Sequence, residues 1–66
     1  MKIYKFKVFD NLDKIYFIAE VYNKSVYMEV YQGKNEGKGT VIPKWLFLKF
    51  IENGRLEIRK EINYVN

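Results

Sequence analysis

The sequence contains neither cysteine nor histidine, and only one proline, one alanine, one serine and one threonine. Without cysteine there is no disulfide staple and no thiolate metal site. Without histidine the commonest zinc ligand and the commonest general base are both missing. Ser25 and Thr40 are the only hydroxyl nucleophiles besides tyrosine, and neither can have a histidine partner. Carboxylate pairs such as Asp10 with Asp13, or Glu20 with Glu29, read as solvated turn and sheet-surface charges. Acid–base use of either pair would need a cleft that raises one pKa. The stretch GKNEGKGT misses the phosphate-loop spacing, because Gly33 and Gly37 stand one residue too close and Gly39 separates Lys38 from Thr40. These absences predict a protein that is not an enzyme and uses no metal or cofactor. No apolar run has the length of a signal peptide or membrane span, which predicts a cytoplasmic protein without a membrane partner.

What is present is hydrophobic and basic. At 66 residues, the chain reads as a single domain (1–66) near the lower size limit for one core. A domain of this size buries only roughly 60% of the surface that its unfolded chain exposes. A hydrophobic fraction of 48% and an aromatic fraction of 18% are generous for that length and favour folding. Twelve basic residues against 8 acidic ones leave a charge of +4, a sign that suits polyanions. Lys, Asn, Ile, Tyr and Phe supply more than half of the chain, the bias of an AT-rich genome.

Period-two alternation marks the strands. KIYKFKVF (2–9) sets Tyr4, Phe6 and Val8 against Lys5 and Lys7. DNLD (10–13) closes a hairpin, and KIYFIAEVY (14–22) sets Ile15, Phe17, Ala19 and Val21 against Tyr16, Ile18, Glu20 and Tyr22. VYMEVY (26–31) turns Val26, Met28 and Val30 inward and Tyr27, Glu29 and Tyr31 outward. QGKNEGKGT (32–40) is a basic, glycine-rich loop. VIPKWLFLKFIENG (41–54) lacks strict alternation, and Pro43 and Gly54 suit the two ends of a helix over about 43–53. On a helical wheel Leu46, Phe47, Leu48, Phe50 and Ile51 form an apolar arc opposite Trp45, Lys49 and Glu52. A strand ending in an Asn-Gly hairpin is the competing reading of this segment. RLEIRKEI (55–62) alternates again, Leu56, Ile58 and Ile62 against Arg55, Glu57, Arg59 and Glu61. The predicted fold is a β-rich α+β domain: a three-stranded antiparallel meander, a basic loop, one short helix and a fourth strand.

The outward face of the meander would carry Lys5, Lys7, Tyr16, Ile18, Tyr22, Tyr27 and Tyr31, with Lys34 and Lys38 in the loop. Rings interleaved with lysines suit single-stranded nucleic acid, since bases stack on the rings while lysines neutralise phosphates. The plain alternative is that tyrosine is a good strand former and cross-strand neighbour. Glu20 and Glu29 on the same face would repel phosphate unless Lys5 or Lys7 pairs with them. Trp45, with Leu48 and Lys49, is either a protein-interface anchor or a cover for a sheet edge. The wide apolar arc of the helix, in so short a chain, predicts a homodimer.

The segment KIYFIAEVYNKSVYMEVYQGKNEGKGTVIPKWLFLKFI (14–51) resembles the single-stranded DNA-binding domain of the coactivators called positive cofactor four. The resemblance is centred on KGTVIPKW (38–45), where a basic glycine-containing loop leads into a Pro and Trp segment that opens a helix. It implies a dimer that binds single strands through curved sheets lined with basic and aromatic residues. TVIPKWLFLKFIENGRLEI (40–58) resembles the core of AbrB-type transcription regulators, which implies a dimer on duplex DNA. The sequence thus predicts a small dimeric protein that binds single-stranded DNA and acts in transcription regulation. The alternative is a viral or mobile-element type of protein that binds and modulates a host protein.

Overall fold

The computed structural model describes residues 4–63, so Lys2 and Ile3 of the first expected strand lie outside it. Strand β1 (Tyr4–Asp10) pairs antiparallel with β2 (Ile15–Val21). Asp10 organises the turn between them: its Oδ1 accepts the backbone N–H groups of Leu12 (2.9 Å) and Asp13 (3.2 Å). Lys14 completes the turn in the left-handed region, at φ 60°. Strand β3 (Ser25–Val30) pairs with β2, and β4 (Gly39–Pro43) pairs with β3. Helix α1 (Lys44–Glu52) then crosses one face of the sheet, and β5 (Leu56–Asn63) pairs with the far side of β1. The order is β4-β3-β2-β1-β5, antiparallel throughout.

The β-rich α+β class and the short helix are as expected, and the sheet has one strand more. Gly39 and Thr40, read as the end of a loop, join Val41–Pro43 in β4. Five residues with an apolar pair abutting a proline carry too little alternation to stand out. The ladder to β3 is what makes them a strand. The preceding loop is itself hydrogen-bonded, with Gly37 N–H donating to the Val30 carbonyl at 3.0 Å and Glu36 N–H to that of Gly33 at 3.1 Å.

Pro43 stands at the N-cap of α1 (φ −62°, ψ 144°), and Gly54 (φ 85°) terminates the helix, its N–H donating to the Ile51 carbonyl at 3.2 Å. The left-handed backbone at Gly54 is the usual reason for glycine at this position. The helix lays Phe47 on Val8, Ala19, Val26, Met28 and Leu56, with Phe6, Phe17, Val21, Ile42, Phe50 and Ile51 around them. Each fully buried Val or Phe contributes about 1.5–3 kcal/mol, and this small cluster is the core. Three residues of the expected inner set are exposed, Ile58 of β5 among them. Tyr4 is exposed, and Leu48, 53% exposed, shares the outer stripe of the helix with Trp45, Lys49 and Glu52. Leu48 follows Trp45 by three positions, so one face must present both or neither.

Two turns are tied together beside the core. Asn11 N–H donates to the Arg55 carbonyl at 2.8 Å and Asn11 Nδ2 to the Gly54 carbonyl at 2.9 Å. Arg55 Nη2 lies 3.5 Å from Asp10 Oδ2 and 3.7 Å from Asp13 Oδ2. Asp10 is therefore not the solvated turn charge expected from the sequence: it is only 3% exposed and holds both turns.

Candidate nucleic-acid interface

Register sorts the side chains of the uncovered face into two unlike halves. Near the β1–β2 turn, Phe9 stands opposite Tyr16, and the Tyr31 N–H donates to the Tyr16 carbonyl at 2.9 Å. Three rings, from β1, β2 and the residue that follows β3, thus form a row. Phe9 and Tyr16 pack with centroids 4.8 Å apart and planes tilted by 53°, within the range of favourable aromatic pairs. Lys7 Nζ lies 5.1 Å from the centre of the Tyr16 ring and 4.8 Å from that of Tyr31. Arg59 Cζ is 5.1 Å from the Phe9 ring and Lys14 Nζ is 5.9 Å from it. Such contacts contribute about 0.5–1 kcal/mol each at exposed sites, so they hold the cations near the rings without consuming their charge. A depression of about 310 Å³ adjoins the row, lined by Lys14, Ile15, Tyr16, Gln32 and Gly33.

A bulge strengthens the positive charge of this half. The β1–β5 register slips between Lys7 and Val8: Val8 faces Ile58 while Lys7 faces Lys60, leaving Arg59 as the extra residue. Beyond the bulge the alternation of β5 inverts. Glu61 comes opposite the inward Phe6 and Ile62 opposite the outward Lys5, the reverse of the expected facing. Arg59 and Lys60 both come to the open face beside Lys7. Like charges directly opposite each other are unfavourable in a sheet, and an anion placed there would relieve them. Glu57 offsets part of this charge through its ion pair with Arg59 at 3.3 Å.

The other half is acidic. Lys5 Nζ pairs with Glu20 Oε2 at 3.2 Å, the Tyr22 hydroxyl donates to Glu20 Oε1 at 3.4 Å, and the Tyr27 hydroxyl donates to Glu29 Oε1 at 3.0 Å. The hydrogen bond to Glu29, followed by desolvation and the Glu29 and Glu20 charges, holds the Tyr27 phenol above its ordinary pKa of 10.0. The Tyr27 ring lies over Gly39, where a Cβ would overlap it. Lys5, Ile18, Glu20, Tyr27 and Glu29 line a depression of about 230 Å³.

Of the residues singled out from sequence, Lys7, Tyr16 and Tyr31 come together. Lys5, Tyr22 and Tyr27 sit apart from them among carboxylates. Lys34 and Lys38 are exposed in the loop that leaves Tyr31, and Trp45 (66% exposed), Leu48 and Lys49 lie on α1, which packs on the opposite face. Sequence reasoning missed Phe9, Lys14, Arg59 and Lys60. Phe9 shares the parity of Lys5 and Lys7 and was readable from alternation; Lys60 was not, because nothing local announces the bulge.

Among the described residues no group of three or more acidic, His or Cys side chains could hold a metal ion, and no helix is long and apolar enough to cross a membrane. Compared with protein-family models, with curated proteins and with solved structures, the chain has no significant match, so its function has to be read from this geometry.

Proposed function

We propose that the open sheet face binds single-stranded nucleic acid along the Phe9–Tyr16–Tyr31 row. Bases stack on these rings while Lys7, Lys14, Arg59 and Lys60 neutralise the backbone. The observation that carries this reading is the combination of three adjacent rings, cations seated against each of them, and a bulge that adds basic residues at the same end. The acidic half containing Glu20 and Glu29 repels phosphate, so the path of the strand is confined to the basic half and the loop bearing Lys34 and Lys38.

Fluorescence anisotropy with labelled single-stranded and duplex DNA at several salt concentrations tests the reading. Single strands bind better than duplex, and log affinity falls linearly with log salt, by about 0.7 per contacted phosphate. Lys7→Gln with Arg59→Gln flattens that slope while the circular dichroism spectrum stays the same. Absence of single-strand binding at low salt, or indifference to salt, removes the proposal.

A second reading rests on the helix stripe: Trp45 and Leu48 are 66% and 53% exposed, with Lys49 beside them. Buried aromatic anchors dominate many protein interfaces, and this stripe suits a host-protein partner. Trp45→Ala would abolish that binding and leave nucleic-acid binding unchanged.

A further inference from the structure

The sheet has two edges, and they differ in kind. Strand β5 carries Glu57, Arg59, Lys60 and Glu61 and is bulged against β1, which are devices that keep an edge from pairing with another chain. Strand β4 reads GTVIP, with no charged residue, and its register with β3 is unbroken. Its Val41 side chain is 64% exposed.

The ladder shows which backbone groups of β4 are free. Val30 N–H donates to the Lys38 carbonyl at 2.8 Å and Lys44 N–H to the Lys24 carbonyl at 2.9 Å. With the register Val26–Ile42 and Met28–Thr40 between them, the even-numbered residues of β4 are those bonded to β3. Val41 and Gly39 therefore direct both N–H and C=O away from β3, whereas Pro43, as the N-cap of α1, commits its carbonyl to the first turn of the helix. Among the described residues, no turn or loop backbone hydrogen bond takes up the outward groups of Gly39 and Val41.

We infer that this edge pairs with the same edge of a second copy of the chain, antiparallel, about a two-fold axis through Val41. The outward groups are self-complementary under that operation. Val41 N–H donates to the Val41 carbonyl of the second copy, and the reverse bond forms by symmetry. Gly39 comes opposite Pro43 of the second copy, whose carbonyl stays with its own helix. The missing N–H of Pro43 ends the ladder there, so the pairing closes at two strands. Gly39 presents no side chain to the proline ring opposite it. The two Val41 side chains meet on the open face, where each now stands exposed.

An antiparallel pairing of this kind has its axis perpendicular to the sheet, so both helices lie on one side and both aromatic rows on the other. The result is one continuous ten-stranded sheet with two copies of the Phe9–Tyr16–Tyr31 row on the same face. The seam is the β4 edge, not the Trp45 and Leu48 stripe.

Sedimentation equilibrium without nucleic acid tests the inference independently of the binding proposal. Over a micromolar-to-millimolar series the parent reaches twice the 8.0 kDa chain mass. Val41→Pro removes only an outward N–H, so the ladder to β3 and the circular dichroism spectrum survive while the mass falls to that of one chain. Val41→Lys does the same by placing like charges opposite each other. Leu48→Lys leaves the dimer intact. A parent that stays at one chain mass throughout the series overturns the inference. So does a dimer that persists in both folded Val41 variants, or one that only Leu48→Lys dissociates.

Discussion

The division of the tyrosines into two groups can be tested by replacing Tyr31 and Tyr27 separately with valine. The Tyr31 ring is 44% exposed, and Lys7, 4.8 Å from its centre, makes an exposed cation–π contact with it. Its backbone N–H bond to Tyr16 survives substitution. Removing the ring, which lies just past the end of β3, therefore forfeits about 0.5–1 kcal/mol of cation–π energy. Unfolding in urea should show a change smaller than 1 kcal/mol. Binding is another matter, because loss of one stacking surface costs about 1–3 kcal/mol, roughly a 5- to 150-fold rise in Kd. Anisotropy with a short labelled single strand reads that change directly. Tyr31→Phe keeps the flat ring and most of the affinity. Tyr27→Val should do the reverse: its ring covers Gly39 and donates to Glu29, so the variant loses stability and keeps its Kd. Equal affinity for the parent and Tyr31→Val, or a loss confined to Tyr27→Val, would refute the assignment of the strand path to the basic half.

Other consequences concern the frame. Asp10→Ala removes the acceptor of two backbone N–H groups and the partner of Arg55, and should cost about 2–4 kcal/mol in chemical denaturation. Phe47→Ala opens the small core and should cost about 3–5 kcal/mol, enough to leave much of so small a domain unfolded. Gly39→Ala should lower the melting temperature because its methyl meets the Tyr27 ring, and a second change, Tyr27→Ala, should recover part of the loss. The Tyr27 phenol is held above 10.0 in the fold, and an ultraviolet titration should show Glu29→Gln bringing it back towards 10.0. Because its folded pKa lies above the unfolded one, the stability it contributes is complete below pH 10.0 and fades as pH rises through the folded value.

Much of the frame was legible in the chain itself. Alternation assigned Val8, Ala19, Val26 and Met28 to one face and Lys7, Tyr16 and Tyr31 to the other, because successive side chains of a strand must point oppositely. Pro43 and Gly54 bounded the helix for equally local reasons, a preset φ and a left-handed backbone. What alternation cannot encode is which strand lies beside which, and in what register. The return of β5 to the free side of β1, by way of a helix packed across the sheet, brings Arg59 and Lys60 to Lys7. The bulge behind that juxtaposition exists only in the pairing of two strands some fifty residues apart in the chain. Tertiary structure also sealed Asp10 beside Arg55, extended the sheet to β4, and sorted identical tyrosines into a cationic row and an acidic corner. Local sequence determined the face on which each ring stands, while the charge that each ring meets depends on long-range pairing.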